Sequence, residues 1–127
     1  AGIPAGKGKI LLLGWSYKQG IGDVRGSPSI DLASSLISNG FVISLWDPYV
    51  KDIKLPNNIK QINHYSEDEG YDVVIVATAH KEFASINWDE LRIIMKNPIL
   101  YDGRRFLDLN SISKSGWTTA AMGKPFK

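Results

Sequence analysis

The chain alternates short apolar runs with longer polar stretches, and this alternation predicts its strands. Residues 10–13 are all aliphatic, as expected for a strand that is covered on both faces of a parallel sheet. Similar short runs recur further along the chain. The predicted strands are residues 9–13, 41–46, 73–77 and 99–101.

Between these runs, apolar residues recur at helical spacing. Residues 28–39 have such a stripe, and Gly40 follows as a C-terminal stop. The stripe consists of Ile30, Ala33, Leu36 and Ile37. Two further helices are predicted at residues 81–84 and 88–96, the second capped by Asn87.

The remaining stretches are less regular. Residues 49–70 are polar, with strand positions expected only at Ile59 and Ile62. Residues 106–108 are predicted to form a loop or a short helix, and residues 117–121 an edge strand. Because strands and helices alternate, the fold class is predicted to be Rossmann-like α/β, a parallel sheet with helices on both faces.

Length and composition suit a single soluble domain. The chain has 127 residues, of which 43% are hydrophobic and 22% charged. Residues 1–8 are expected to be a linker or the boundary of an expressed fragment, and residues 9–127 the domain itself. No apolar run approaches the ~20 residues of a membrane span, and nothing at the N-terminus resembles a signal peptide, so a cytoplasmic location is expected.

Composition also excludes several classes of function. The net charge of +2 is too small to favour a nucleic-acid or membrane partner. The chain has no cysteine, which excludes disulfides, thiolate metal sites and a cysteine nucleophile. His64 and His80 are the only histidines, and no acidic cluster has metal-ligand spacing, so no metal site is predicted.

The loop at residues 14–28 is the most informative segment. It joins a predicted strand to a helix and carries Lys18, Arg25 and four glycines. In a parallel sheet, such a loop lies at the carboxyl edge, where ligands bind. A positive loop beside a helix N-terminus suits an anion such as a diphosphate. Its glycines do not form Gly-x-Gly-x-x-Gly, so NAD bound in the usual pose is not expected.

A second cationic loop follows the fourth predicted strand. It carries Arg104 and Arg105, of which one is expected to point inward and the other to be solvated. Gly103 is expected to permit a close approach or a positive φ, so that Gly103→Val would damage the site more than the fold. Asp102 is expected to orient the arginines or to cap a turn. Two cationic loops that converge from separate strands are what a diphosphate requires.

Other candidate residues have structural interpretations. Asp47 could mimic the ribose-binding acid of dinucleotide folds, but an Asp-Pro turn suits the sequence better. His80 is expected to have a structural or supporting role, because it lacks a ligand set. Most aromatic residues are core candidates, whereas Trp15 and Tyr17 stand where a uracil ring could stack.

Four segments of the chain carry a resemblance. The first combines Tyr17-Lys18 with Asp23-Val24-Arg25 and a Ser-Pro pair, and the last contains Asp-Gly-Arg-Arg after a strand. The segments are residues 17–28, 47–49, 77–83 and 101–108. In this order they resemble the C-terminal, UDP-binding domain of the UDP-glucose/GDP-mannose dehydrogenase family, and the last is similar to its UDP-glucose branch. The resemblance spans residues 8–110.

The resemblance implies an enzyme. Members of the family oxidise an alcohol to an acid by two hydride transfers to NAD, through a cysteine-bound intermediate. Because this chain lacks cysteine, the resemblance implies a domain cut from a longer, homodimeric enzyme and inactive alone, with NAD bound mainly by an absent N-terminal domain. The implied reaction converts UDP-glucose to UDP-glucuronate, a polysaccharide precursor. Alternatives are the same domain of a UDP-N-acetylhexosamine or GDP-mannose dehydrogenase, or a stand-alone nucleotide-binding module.

The resemblance also assigns roles to residues. Lys18 and Arg104 would contact the UDP-sugar, with Tyr17 and Gly103 beside them, and Arg25 would face the cofactor. Lys18 could instead be an ordinary solvated lysine, and Arg25 could brace its loop. Gly26 replaces the usual glutamate of the family, which leaves the pairing of Arg25 open.

Overall fold

The computed structural model of the chain describes residues 8–15, 28–50, 55 and 58–121. Its strands are β1 (Lys9–Leu13), β2 (Val42–Trp46), β3 (Ile59–Ile62), β4 (Val73–Val76), β5 (Ile99–Asp102) and β6 (Thr118–Ala121). Its helices are α1 (Pro28–Ser38), α2 (Lys81–Ala84), α3 (Trp88–Ile93) and α4 (Leu109–Lys114). A 3₁₀ turn lies at Tyr65–Glu67.

The six strands form one parallel sheet in the order β3-β2-β1-β4-β5-β6. At its centre, Leu11 of β1 pairs with Ser44 of β2 on one side and with Val74 of β4 on the other. The chain builds one half of the sheet outward from β1, then crosses over and builds the other half from β4. The order therefore reverses between β1 and β4. This architecture confirms the Rossmann-like α/β class.

Two hydrophobic cores cover the two faces of the sheet. Alternate residues of β1 serve each core, because successive side chains of a strand point to opposite faces. Ile10 and Leu12 pack with α1, through Ala33, whereas Leu11 and Leu13 pack on the opposite face. That face also receives one buried side chain from each of the other helices: Phe83 of α2, Leu91 of α3 and Ile112 of α4. The continuous apolar run of β1 follows from this double coverage.

The helix ends match the local sequence signals. Gly40 has a φ of 87° and donates its N–H to the Ile37 carbonyl at 2.9 Å, and Phe41 donates to the Leu36 carbonyl at 3.1 Å. This left-handed glycine ends α1, as predicted. The Asn87 side chain accepts the Glu90 N–H at 3.0 Å, so it caps α3 as predicted.

Two elements differ from the sequence prediction. The helix predicted at residues 88–96 ends at Ile93, because Met95 forms a parallel bridge with Tyr71 and Lys96 donates its N–H to the Tyr71 carbonyl at 2.7 Å. Helix α4 was not predicted as such. Its apolar signal is a single buried residue, Ile112, while Asp108 caps its start by accepting the Ser111 N–H at 3.2 Å.

Candidate functional site

At the carboxyl edge of the sheet, the connections of the neighbouring strands β1 and β4 run in opposite directions. After β1 the chain returns through α1 on one face, and after β4 it continues into α2 on the other face. The two connections therefore diverge at adjacent strand ends. In open α/β sheets, ligands bind where neighbouring connections diverge in this way.

A cavity of about 300 Å³ lies at this edge, on the α1 face of the sheet. One wall comes from α1, the floor from the end of β4, and the rim from the loop after β5. The lining residues are Ser29, Leu32, Ile75, Val76, Ala77, Tyr101, Gly103 and Arg104. Most of these described residues are apolar, and Arg104 is the one positively charged residue among them. Such a lining suits a ligand with a flat or aliphatic part and an attached anion.

Asp102 organises the loop that carries Arg104. Its side chain is fully buried, and its carboxylate accepts three backbone N–H groups. Oδ1 accepts from Arg104 at 3.0 Å, and Oδ2 accepts from Phe106 and Leu107 at 2.8 Å each. Of the two predicted roles for Asp102, the structure shows the turn cap. The carboxylate holds the backbone of the loop and leaves the guanidinium of Arg104 available.

Both arginine side chains are exposed, so the expectation that one points inward is wrong. Arg104 borders the cavity, and Arg105 borders a smaller, more polar cavity of about 240 Å³ with Asp108 and Asn110. Within the described residues, no carboxylate forms an ion pair with either guanidinium. Arg105 has a φ of 55°, so the left-handed strain of this loop lies there.

One part of the expectation for Gly103 is wrong, because its φ is not positive. Its N–H donates to the Val76 carbonyl at 3.0 Å, and a Cβ at this position would lie 2.8 Å from that same carbonyl oxygen. The glycine therefore permits a close approach between β5 and β4, and Gly103→Val is expected to strain the fold. Gly103 also lines the cavity, so its contact with a ligand stays a prediction.

The first cationic loop lies mostly outside the described residues. Tyr17, Lys18, Arg25 and Gly26 all fall within residues 16–27, so their roles stay predictions. Trp15, which precedes them, is only 6% exposed and belongs to the core on the α1 face. Its ring is a core group and offers no open face for a uracil ring to stack on.

Asp47 and His80 form a buried pair at the same edge. Asp47 accepts the Trp15 N–H at 2.7 Å and the Tyr49 N–H at 2.9 Å, and His80 Nε2 lies 3.0 Å from its carboxylate. Both side chains are fully buried. These bonds support the turn interpretation of Asp47, because they leave its oxygens committed to protein groups. The position of His80 agrees with the structural role predicted for it.

Tyr49 extends this pair to α2. Its hydroxyl donates to Glu82 Oε2 at 2.6 Å, and this bond raises the pKa of Tyr49, with burial adding to the effect. Burial by itself raises the pKa of Glu82, but the bond from Tyr49 and the charge of Lys81 outweigh it and lower the pKa. The lowered pKa favours the ionised form of Glu82, which is the form that accepts the bond from the Tyr49 hydroxyl.

The described residues contain no group of three or more His, Cys, Asp and Glu side chains that could hold a metal. Among the helices in the described ranges, none has the length and apolar character needed to cross a membrane.

The sequence matches the model of the UDP-glucose/GDP-mannose dehydrogenase family, UDP binding domain, over residues 11–109. The chain belongs to this family. Relatives include the UDP-glucose 6-dehydrogenase of Rickettsia conorii, 34% identical over 92% of this chain and 28% of the relative. The UDP-N-acetyl-D-mannosamine dehydrogenase of Methanocaldococcus jannaschii is 28% identical over 91% of this chain and 27% of the relative.

A solved structure shares the fold of this family domain. The UDP-D-ManNAc dehydrogenase of Pyrococcus horikoshii superposes with a TM-score of 0.76 at 27% identity, covering 95% of this chain and 27% of that protein. The chain thus spans between a quarter and a third of the length of these relatives. It corresponds to the C-terminal domain of the dehydrogenase family.

The apolar lining of the cavity is the part of this candidate site that sequence reasoning missed. Ser29 and Leu32 lie one turn apart on α1, and Tyr101 lies on β5. Nothing in the local sequence joins them, because they meet only when α1 packs across the sheet. The cationic residues carried a signal of their own, since each follows a predicted strand.

Proposed function

We propose that this chain is the UDP-sugar-binding C-terminal domain of an NAD-dependent UDP-glucose dehydrogenase, which oxidises UDP-glucose to UDP-glucuronate. One observation carries the proposal. Arg104 stands on the rim of an apolar cavity at the switch point of the sheet, without a carboxylate partner in the described residues. A guanidinium without a carboxylate partner, next to an apolar cavity wall, suits a ligand that has both a phosphate group and a ring.

In this proposal the domain binds and orients the nucleotide-sugar. The guanidinium of Arg104 donates to phosphate oxygens, for which its planar fork is well suited. Because Asp102 fixes the backbone from Arg104 to Leu107, the cation is placed before the ligand arrives. Lys18 supplies the second cation, with Tyr17 beside it. Gly103 contributes indirectly, by letting β5 lie close to β4.

Oxidation requires groups outside this chain. The chain has no cysteine to carry a covalent intermediate, so we expect the isolated domain to be inactive. Nor does it fit NAD in the usual pose, since Asp47 is committed to the Trp15 and Tyr49 amides and to His80. We propose that an N-terminal domain of a longer, homodimeric enzyme holds NAD, with Arg25 facing it. The expected use of the product is polysaccharide synthesis.

A UDP-N-acetylhexosamine is the second candidate substrate. Two relatives, from Methanocaldococcus jannaschii and Pyrococcus horikoshii, are named for UDP-N-acetylmannosamine or UDP-D-ManNAc, and they cover 91% and 95% of this chain, against 92% for the UDP-glucose enzyme of Rickettsia conorii. The two candidates share the UDP moiety and differ at the sugar. The diphosphate site therefore supports both, and the choice rests on a sugar panel.

An NMR titration of the 127-residue chain tests the proposal. UDP, UDP-glucose, UDP-N-acetylmannosamine and GDP-mannose would be added in turn while backbone amides are followed. We expect weak binding of the UDP compounds, because half of the cleft is missing, with shifts at Tyr101 and Arg104. Uridine, which has the same base and ribose but lacks the phosphates, is the matched control. An absence of shifts with every nucleotide, or robust NAD reduction by this chain alone, would contradict the proposal.

A further inference from the structure

The end of helix α1 carries a residue pair with a chemistry of its own. Asn39 is the only asparagine of the chain that is followed by glycine, and both residues of the pair are exposed. In such a pair the backbone nitrogen of the glycine can attack the side-chain amide of the asparagine, because glycine has no Cβ to obstruct the approach. Asparagine is for this reason among the thermolabile residues of proteins. The pair is therefore a candidate site of spontaneous modification.

The reaction needs no reagent other than water. The nitrogen of Gly40 loses its proton and bonds to Cγ of Asn39, while the bond from Cγ to Nδ2 breaks and Nδ2 leaves as ammonia with that proton. The product is a succinimide ring, which water then opens at either of its carbonyl carbons. Opening at Cγ leaves an aspartate. Opening at the main-chain carbonyl leaves an isoaspartate, in which the backbone continues through Cβ and Cγ.

The structure holds both reacting groups in hydrogen bonds. Gly40 donates its N–H to the Ile37 carbonyl at 2.9 Å, and Nδ2 of Asn39 donates to the Ser35 carbonyl at 2.8 Å. A proton that is bound to a carbonyl is harder to remove, and the side-chain amide cannot rotate onto the backbone while Nδ2 is bound. The reaction therefore requires that the last turn of α1 opens.

Two half-buried apolar side chains keep this turn closed. Leu36 and Phe41 pack against the core on the α1 face of the sheet, and the N–H of Phe41 donates to the Leu36 carbonyl at 3.1 Å. A bond of this kind, flanked by apolar side chains, is typical of the C-terminal cap that a left-handed glycine makes. Helix ends open locally at a free energy far below that of global unfolding. The turn therefore slows the reaction without preventing it.

Asp102 and Gly103 form a pair in which the same chemistry is blocked. An aspartate before glycine can close the same ring, with water as the leaving group. However, Asp102 is fully buried and its carboxylate accepts three backbone N–H groups, while the Gly103 N–H donates to the Val76 carbonyl at 3.0 Å. Fraying of a helix end does not release these bonds. Of the two pairs, the one at Asn39 lies where local opening exposes it.

We propose that Asn39 is a site of spontaneous deamidation and isoaspartate formation, gated by the opening of the last turn of α1. Either product places a negative charge at the helix C-terminus, where the helix dipole is already negative. Isoaspartate also lengthens the backbone between α1 and β2, inside the turn that Gly40 closes. The modification should therefore lower the stability of the domain. It is independent of the proposed function, since the cavity lies at the other end of α1, at Ser29 and Leu32.

The test follows the 127-residue chain at mildly alkaline pH, which favours loss of the amide proton. Peptide mapping measures the mass gain of about one dalton at each asparagine, and an isoaspartate methyltransferase detects the isoaspartate product. We expect Asn39 to react before every other asparagine. Its rate should be about three- to a hundredfold lower in the folded chain than in urea, because only local opening is required. Asn39→Gln is the control, since its longer side chain would have to form a larger ring, which closes more slowly.

Two further variants separate local opening from global unfolding. Phe41→Ala loosens the closed turn and should speed deamidation of the folded chain by about threefold or more, with the rate in urea unchanged. Ile112→Ala truncates a buried side chain on the opposite face of the sheet. It should lower the midpoint of urea unfolding but leave the rate at Asn39 within about twofold of wild type. Phe41→Leu is a milder version and serves if the alanine variant does not fold.

Three results would overturn the proposal. If another asparagine reacts first in the folded chain, or if Asn39 gains no mass there, the site is wrong. If Phe41→Ala leaves the folded-state rate unchanged, the last turn of α1 does not gate the reaction. If Phe41→Ala and Ile112→Ala accelerate it equally, global unfolding is the gate. UDP binding has no part in these measurements, so failure of the proposed function would leave this inference intact.

Discussion

The two edges of the sheet use the same chemistry to opposite effect. At the amino edge, Asp72 accepts the first amide of β1, and nearby Asp68 pairs with Lys9 at 3.0 Å and accepts from Ser44 at 2.8 Å. At the carboxyl edge, Asp102 also accepts backbone amides. However, the described residues provide no carboxylate for the guanidinium of Arg104 beside it.

The comparison shows where charge is available for a ligand. At the amino edge the carboxylates satisfy both the first amide of β1 and the ammonium of Lys9, so this cation is already paired. At the carboxyl edge the carboxylates face inward and are used up by amides, while the cations face outward. Buried aspartates alone therefore do not mark a site. The pairing state of the neighbouring cation distinguishes the two edges.

The largest effect is expected for a substitution that disrupts the packing of β5 against β4 at the carboxyl edge. Gly103→Val places a Cβ and two methyl groups against the Val76 carbonyl, where the Cβ alone would lie 2.8 Å from the oxygen. We expect the free energy of unfolding in urea to fall by about 3 kcal/mol, as for other overpacked sites. Gly70→Ala is the contrasting variant, because it adds a carbon at a φ of 76° with no atom within 4 Å, whereas Gly103→Val adds a collision without a positive φ. Unchanged stability in Gly103→Val would contradict the packing role of this glycine.

The next effect concerns the free cation. Arg104→Ala should weaken UDP binding by about 1.5–3 kcal/mol, the range for a charged hydrogen bond, while stability changes little because the side chain is exposed. Calorimetric or NMR titration measures the affinity. Lys96→Ala, at the cavity on the amino edge, should leave UDP affinity unchanged. Equal loss in both variants would mean that only net charge matters.

If Lys18 and Arg104 share one diphosphate, their effects on UDP affinity should be coupled. The double variant Lys18→Ala/Arg104→Ala should differ from the sum of the single variants by about 0.5 kcal/mol or more. A double-mutant cycle in the titration above measures the difference. If the two losses of UDP affinity simply add, Lys18 and Arg104 do not share one diphosphate.

A smaller effect concerns the amino edge, where Asp68 should make the stability of the fold depend on pH. Burial tends to raise the pKa of Asp68, but the bonds from Ser44, Glu69 and Lys9 outweigh burial and lower the pKa below 3.8. A lowered pKa stabilises the fold above the unfolded value, and this contribution is lost as the pH falls through the folded value. Asp68→Asn should therefore lower the free energy of unfolding by less than about 1 kcal/mol at pH 7. The difference should vanish at a pH where Asp68 of the wild-type chain is protonated in both the folded and the unfolded state. Urea unfolding at pH 7 and at progressively lower pH measures this difference. Ser44→Ala removes one of the bonds that lower the pKa of Asp68, so it should show part of the same effect.

The smallest effect concerns the strained arginine. Arg105→Gly removes the left-handed strain at a φ of 55°, at the expense of greater freedom in the unfolded chain. We expect a gain in stability of about 0.5 kcal/mol with UDP affinity unchanged, since Arg104 and not Arg105 borders the larger cavity. A loss of UDP affinity like that of Arg104→Ala would assign the contact to Arg105.

Much of the fold could be predicted because its signals are local. The aliphatic run of β1, the glycine after α1 and the Asn87 cap each lie within a few residues of the structure they specify. The site was predictable only in part. The position of Arg104 after a strand was visible, but the tight packing of Gly103 against β4 depends on a carbonyl 27 residues away in sequence, at Val76. The end of α3 depends in the same way on a bridge to Tyr71.

The bonds at the two ends of β1 also have a dynamic consequence. Its first amide donates to Asp72, the Trp15 amide just beyond it donates to Asp47, and Ile10 to Leu13 are at most 1% exposed between two neighbouring strands. Separation of an outer strand, β3 or β6, from the sheet therefore leaves β1 paired on both sides. Its amide protons should therefore exchange with solvent only when the whole domain unfolds, and their exchange rates report the global stability directly. The edge strands β3 and β6, each paired on one side, should exchange earlier.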